Sequence, residues 1–136
     1  MLRNILAVIV GIIIGSVVNM ALVMVGPMVV PPPEGVNVET MEGLRAAMSR
    51  FEAKHFIFPF LAHSIGTLVG ALTAAMIAVE RKMLVGMVVG CFFLLGGIAA
   101  ASMLGAPMWY NALDLIFAYI PMAWLGGRLA KAGKRS

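Results

Sequence analysis

The stretch from His55 to Val79 reads HFIFPFLAHSIGTLVGALTAAMIAV, and its interior holds one ionisable side chain, His63. The hydrocarbon of a bilayer is about 30 Å thick and takes roughly 20 apolar residues of helix to cross. This stretch is long enough. Beyond His63, Gly66, Thr67, Gly70 and Ala74 recur at three- and four-residue spacing, so they share one side of a helix. An apolar helix with one smooth face and one ionisable group is built to sit in lipid against other helices.

The rest of the chain has the same character. Of its 136 residues, 62% are hydrophobic and 12% charged, whereas an ordinary soluble domain is about a quarter charged. A chain this short could not hide so much apolar surface in a core of its own. The net charge is +4, but the basic residues flank apolar runs and form no strip alternating with aromatics, which argues against a nucleic-acid partner. Cys91 is the only cysteine, so no intrachain disulfide exists, and its place within an apolar run reads as a small buried hydrophobe.

Working outward from the central stretch, the fold expected is all-α: a four-helix transmembrane bundle forming a single integral membrane domain over residues 1–136. The spans fall at about 5–27, 56–79, 83–104 and 108–126. The first run is longer than a signal-peptide core and lacks its cleavage site, so it reads as a retained span. Pro27 and Pro31-Pro32-Pro33 are expected to end it. An outer loop then covers 28–55. Within it, Thr40 to Ala53 predicts a short amphipathic interfacial helix capped by Thr40, with Met41, Leu44, Met48 and Phe51 on one face. Glu80-Arg81-Lys82 is the whole connection between spans two and three, which makes them antiparallel neighbours. Gly105-Ala106-Pro107 makes the next turn, and Trp109 and Tyr110 read as part of an interfacial aromatic belt. Pro121 should bend the fourth span.

Counting Lys and Arg gives the orientation. One side carries Arg3, Arg81, Lys82, Arg128, Lys131, Lys134 and Arg135; the other carries Arg45, Arg50 and Lys54. The positive-inside rule then puts the N- and C-termini in the cytoplasm and the long loop outside.

Three polar side chains are out of place in hydrocarbon: Asn19, His63 and Asp114. Each lies about 6–8 Å to the outer side of its span's midpoint, at 1.5 Å per residue. Because a lone carboxylate there costs about 3 kcal/mol on insertion scales, the three are expected to meet in one intramembrane cluster. That cluster reads either as a hydrogen-bonded lock on helix register or as an ionisable site for proton coupling or polar binding. No compact His, Cys and carboxylate set has metal-site spacing, so no metal and no cofactor is expected. Met20, Met24 and Met28 have the spacing of a thioether copper site, but methionine also fills gaps in apolar helices, and packing is the reading adopted.

Gly11/Gly15, Gly66/Gly70 and Gly86/Gly90 each match Gly-x-x-x-Gly, and Gly97 extends the third ridge. Such ridges mark close helix packing, within the chain or between copies. Ser64 beside His63 is no catalytic pair, since adjacent helix positions point about 100° apart. An enzyme acting on lipids through Asp114 and His63 ranks third among the functional readings.

At Lys54-His55-Phe56, Pro59-Phe60, Ala62-His63, Gly66-Thr67-Leu68 and Gly70-Ala71, the chain resembles a group of small, uncharacterised bacterial inner-membrane proteins with four predicted spans. The resemblance runs from Leu2 through Gly126-Gly127. It implies a bacterial inner-membrane location and brings no activity, cofactor or catalytic residue. Two functions are therefore expected from the residues themselves. The first is a non-enzymatic scaffold or accessory subunit, a homo-oligomer or part of a larger membrane complex in the lipid bilayer. The second is a small oligomeric transporter or channel using Asn19, His63 and Asp114.

Overall fold

A computed structural model describes residues 1–133, and these are helical with no strands. Lys134 and Arg135, counted above in the basic tail, lie outside the described residues. The elements are α1 (Leu2–Val29), α2 (Met41–Ala47), α3 (Ile57–Ile77), α4 (Lys82–Leu104), α5 (Met108–Phe117) and α6 (Ile120–Ala132), with 3₁₀ turns at Met48–Arg50 and Ala53–Phe56. Four stretches are long and apolar enough to cross a membrane: Leu2–Val29, Ala53–Ile77, Lys82–Leu104 and Met108–Ala132.

Three local features depart from the sequence reading. Pro27 does not end the first helix, which continues to Val29. A proline in the last turn removes only one ladder bond, and the chain leaves the helix before the three consecutive prolines that follow. The loop helix is shorter than expected. Thr40 caps it by accepting from Gly43 N–H at 3.0 Å, but regular α-helix stops at Ala47. Phe51 and Glu52 are extended, which frees Glu52 to cap the next turn, where its backbone N–H donates to His55 Nδ1 at 2.8 Å. His55 Nε2 in turn donates to Pro31 O at 3.2 Å, tying the loop to the entrance of α3. The fourth span is broken rather than bent. Pro121 is the second residue of α6, and α5 ends at Phe117, leaving Ala118 and Tyr119 between two half-helices.

The bundle is organised on α3, which packs against α1, α4 and α6. In its most apolar window 44% of residues are buried, against 11% for α1, so α3 is the central helix and α1 a peripheral one. Small residues allow this closeness. A methyl group on Gly11 would lie 2.6 Å from Gly70 O and 2.7 Å from Ala74 Cβ, and one on Gly70 would lie 2.7 Å from Gly11 O. The two backbones touch. Ala7, Ala71, Ala74, Val85, Val89 and Ala123 form the core on the side of the termini.

At that end Arg3 Nε donates to Ile77 O at 3.0 Å, and Val79 N–H donates to Asn4 Oδ1 at 3.2 Å. Lys82 Nζ donates to Ala75 O at 3.0 Å, satisfying a carbonyl at the end of α3. At the loop end Met48, Phe56 and Tyr110 form a second cluster with Leu44 and Phe51. Tyr110 is buried rather than turned outward, its ring stacked on Phe56 with centroids 4.5 Å apart, because α5 brings it under the loop. Trp109, next to it, is exposed. Cys91 is exposed as well, contrary to its reading as buried, because the α4 face that packs inward carries Gly86, Val89, Gly90 and Gly97. Met20, Met24 and Met28 face outward from α1 and fill no gap within the chain.

Candidate functional site

The first turns of α3 carry His63 and the last turn of α5 carries Asp114, and the two meet at the break in the fourth span. His63 Nδ1 lies 2.8 Å from Asp114 Oδ1 and 2.9 Å from Oδ2. With Asp114 as carboxylate, which only accepts, Nδ1–H is the donor and Nε2 is the nitrogen left for other work. The Tyr119 hydroxyl donates to Asp114 Oδ2 at 3.2 Å, and its ring stacks on the imidazole at 5.7 Å between centroids and 27° between planes. Asp114 is only 5% exposed. Its two oxygens are partnered by an imidazole and a phenol, as a polar group out of water requires.

Tyr119 was not picked out from sequence. The available signal was a hydroxyl-bearing side chain five residues after Asp114 and two before the kinking proline. Its position also explains Gly97, because a Cβ there would collide with the Tyr119 phenol. The glycine makes room for the ring that reaches the carboxylate.

Two cavities, each of about 180 Å³, adjoin the pair and share His63, Gly97 and Ala100 in their walls. The inner one also has Asn19, Thr67, Phe93 and Tyr119 in its wall. The other, towards the loop, has Asp114, Asn111, Tyr110, Phe56 and Met48. A third cavity, under the loop beside Lys54 and His55, shares Val23, Leu44, Phe51 and Pro59 with the second. The three cavities therefore lie in series, each sharing wall residues with the next, from beneath the loop to the His63–Asp114 pair and on to Thr67.

Of the three polar residues named from sequence, two bond directly. Asn19 lines the same cavity as His63 but makes no hydrogen bond to the pair; its Cβ side packs on Gly66, which holds the side chain at the cavity wall. Thr67 adds a polar group that sequence reading treated only as part of a smooth face. It is 1% exposed, and its Oγ1 has no hydrogen-bond partner.

The glycine ridges lie inside the chain. Gly11 and Gly15 face Gly70 and Gly66, Gly86 faces Ala71, and Gly90 and Gly97 face Ala123 and Tyr119. Among the described residues no three His, Cys, Asp or Glu side chains gather into a set able to hold a metal ion. No protein-family model matches the chain, and neither does any curated protein or solved structure.

Proposed function

We propose that this is a small transporter of the bacterial inner membrane, with both termini cytoplasmic, whose site is the His63–Asp114–Tyr119 triad reached from the outer face. The observation that carries this reading is the pair of cavities that flank the part-buried His63–Asp114 contact. A pair serving only as a lock on helix register gains from being packed in on all sides, since voids forfeit dispersion contacts. Here the pair stands between two cavities, and Thr67, whose buried hydroxyl has no hydrogen-bond partner, lines one of them. Buried polar groups left unpaired in a native fold call for a ligand or water to complete them. The alanine- and valine-lined core closes the molecule on the side of the termini, which speaks against an open pore. In this reading the loop segment with α2 lies at the outer membrane surface, over the entrance.

The test is reconstitution in lipid vesicles with an imposed pH gradient and a trapped pH dye. Small cations, anions and neutral solutes are added class by class. Collapse of the gradient by one class, lost in His63→Gln and Asp114→Asn, supports the proposal. If no class moves protons through folded protein, the pair is a lock.

A second reading is a non-enzymatic scaffold or accessory subunit that packs with its own copies or with a larger complex. It is favoured by the bare flank of α1, where Ile9, Ile13, Val17, Met20 and Met24 are exposed. Because the glycine ridges are used inside the chain, any such contact would run along these branched and thioether side chains. Gentle extraction from the native membrane and mass measurement of the complex distinguishes it.

A further inference from the structure

The charges around the paired cavities limit what the site can take. Asp114, and His63 when protonated, are the only charged side chains in their walls among the described residues. Tyr119, at the start of α6, and Tyr110 of α5 contribute phenols to the cavity walls beside the pair. From α1 it is faced by Asn19, from α4 by Phe93, Gly96, Gly97 and Ala100, and from the loop by Leu44, Met48 and Phe51, none of which carries charge.

With imidazolium beside carboxylate, the site is neutral overall. When His63 gives up its proton, the site carries one uncompensated negative charge away from water, a state a low-dielectric surround strongly disfavours. A cation entering the cavity restores neutrality. A neutral solute would leave the charge, and an anion would double it.

We infer that the site takes a small protonated amine in exchange for the proton on His63, a reading that rests on the transporter proposal above. The groups present fit an ammonium. His63 Nε2 becomes an acceptor when its N–H bond breaks, while Nδ1–H stays on Asp114. Asn19 and Thr67 line the same cavity, and each has a side-chain oxygen able to accept, that of Thr67 having no partner in the fold. Phe93 and Tyr119 add aromatic rings to the wall, a residue type that attracts cations. The apolar wall towards the loop, with Val23, Met48 and Phe56, suits a hydrocarbon body behind the charged head. The amine arrives already protonated, the imidazolium proton leaves to water, and no covalent bond to the ligand forms.

The experiment titrates the purified full chain in weakly buffered detergent with benzylammonium, reading protons released with an indicator dye. Benzyl alcohol and benzoate, of nearly the same shape, are the neutral and anionic controls. The expected result is saturable release, approaching one proton per chain on the acid side. Apparent affinity should rise about tenfold per pH unit while His63 is protonated, and level off above that range. His63→Gln should bind without releasing protons, Asp114→Asn should bind at least about tenfold more weakly, and Thr67→Val, which alters no charge, about threefold more weakly. Thermal unfolding of each variant checks that it is folded. Release by benzyl alcohol, preferred binding of benzoate, undiminished release from His63→Gln, or no binding of benzylammonium by folded protein would each overturn the amine assignment. If anions or neutral solutes then still collapse the vesicle gradient through His63 and Asp114, the transporter reading survives without it. If nothing does, both fall.

Discussion

Tyr119 donates to Asp114 and stacks on His63 at once, so one side chain supports both members of the buried pair. Tyr119→Phe separates the two contributions, keeping the ring and losing the hydrogen bond. Side-chain hydrogen bonds inside membrane proteins average about 0.6 kcal/mol and reach about 1.7, and a charged acceptor belongs at the upper end. A loss of about 1–2 kcal/mol in chemical unfolding in detergent is expected; no loss would mean the hydroxyl does not hold the carboxylate.

Gly96 and Gly97 are neighbours with opposite surroundings. A methyl group on Gly96 meets nothing within 4 Å, while one on Gly97 runs into the Tyr119 phenol. Gly97→Ala should destabilise by about 1–3 kcal/mol, the usual range for overpacking. Gly96→Ala should be neutral or slightly stabilising, since alanine is the better helix former by about 1 kcal/mol. Comparing thermal midpoints of the two variants checks this, and equal effects would contradict the placement of Tyr119.

His63→Ala, Asp114→Ala and the double variant form a thermodynamic cycle. Removing His63 alone strands a buried carboxylate, so each single change should be nearly as damaging as both together. A coupling of about 1–3 kcal/mol is expected for residues in direct contact. Additive losses would count against the 2.8 Å pairing.

Orientation is checked by labelling. With Cys91 replaced by alanine, Glu39→Cys in the loop should react with a membrane-impermeant maleimide added to intact cells, and Lys131→Cys only after lysis. The reverse pattern would invert the proposed topology. The native Cys91, facing outward from α4, should stay unlabelled in membranes, because a thiol in hydrocarbon does not form the reactive thiolate.

The helices were legible because solvent preference is written in every residue of a long apolar run, and Glu80-Arg81-Lys82 marks a turn without ambiguity. His63 and Asp114 stand out for the same reason, as ionisable groups where neighbours are apolar. Tyr119 does not stand out, since its ring suits lipid and its hydroxyl shows its role only once the half-helices are placed. Thr67 was hidden by its own helix, where threonine passes for a small packing residue. Pro27 and Pro121 show the limit of reading single residues. One is absorbed in a final turn and the other splits a span, because what differs is how many helical residues follow.

The clasp of Arg3 and Asn4 on the end of α3 bears on how the molecule is made. The carbonyl that Arg3 holds belongs to a residue 74 positions later. During synthesis this contact can close only after the second span has been made, so it joins two helices completed at different times. Assembly is then a lateral docking of finished rods, so the spacing of glycines on α1 serves as an address read after insertion.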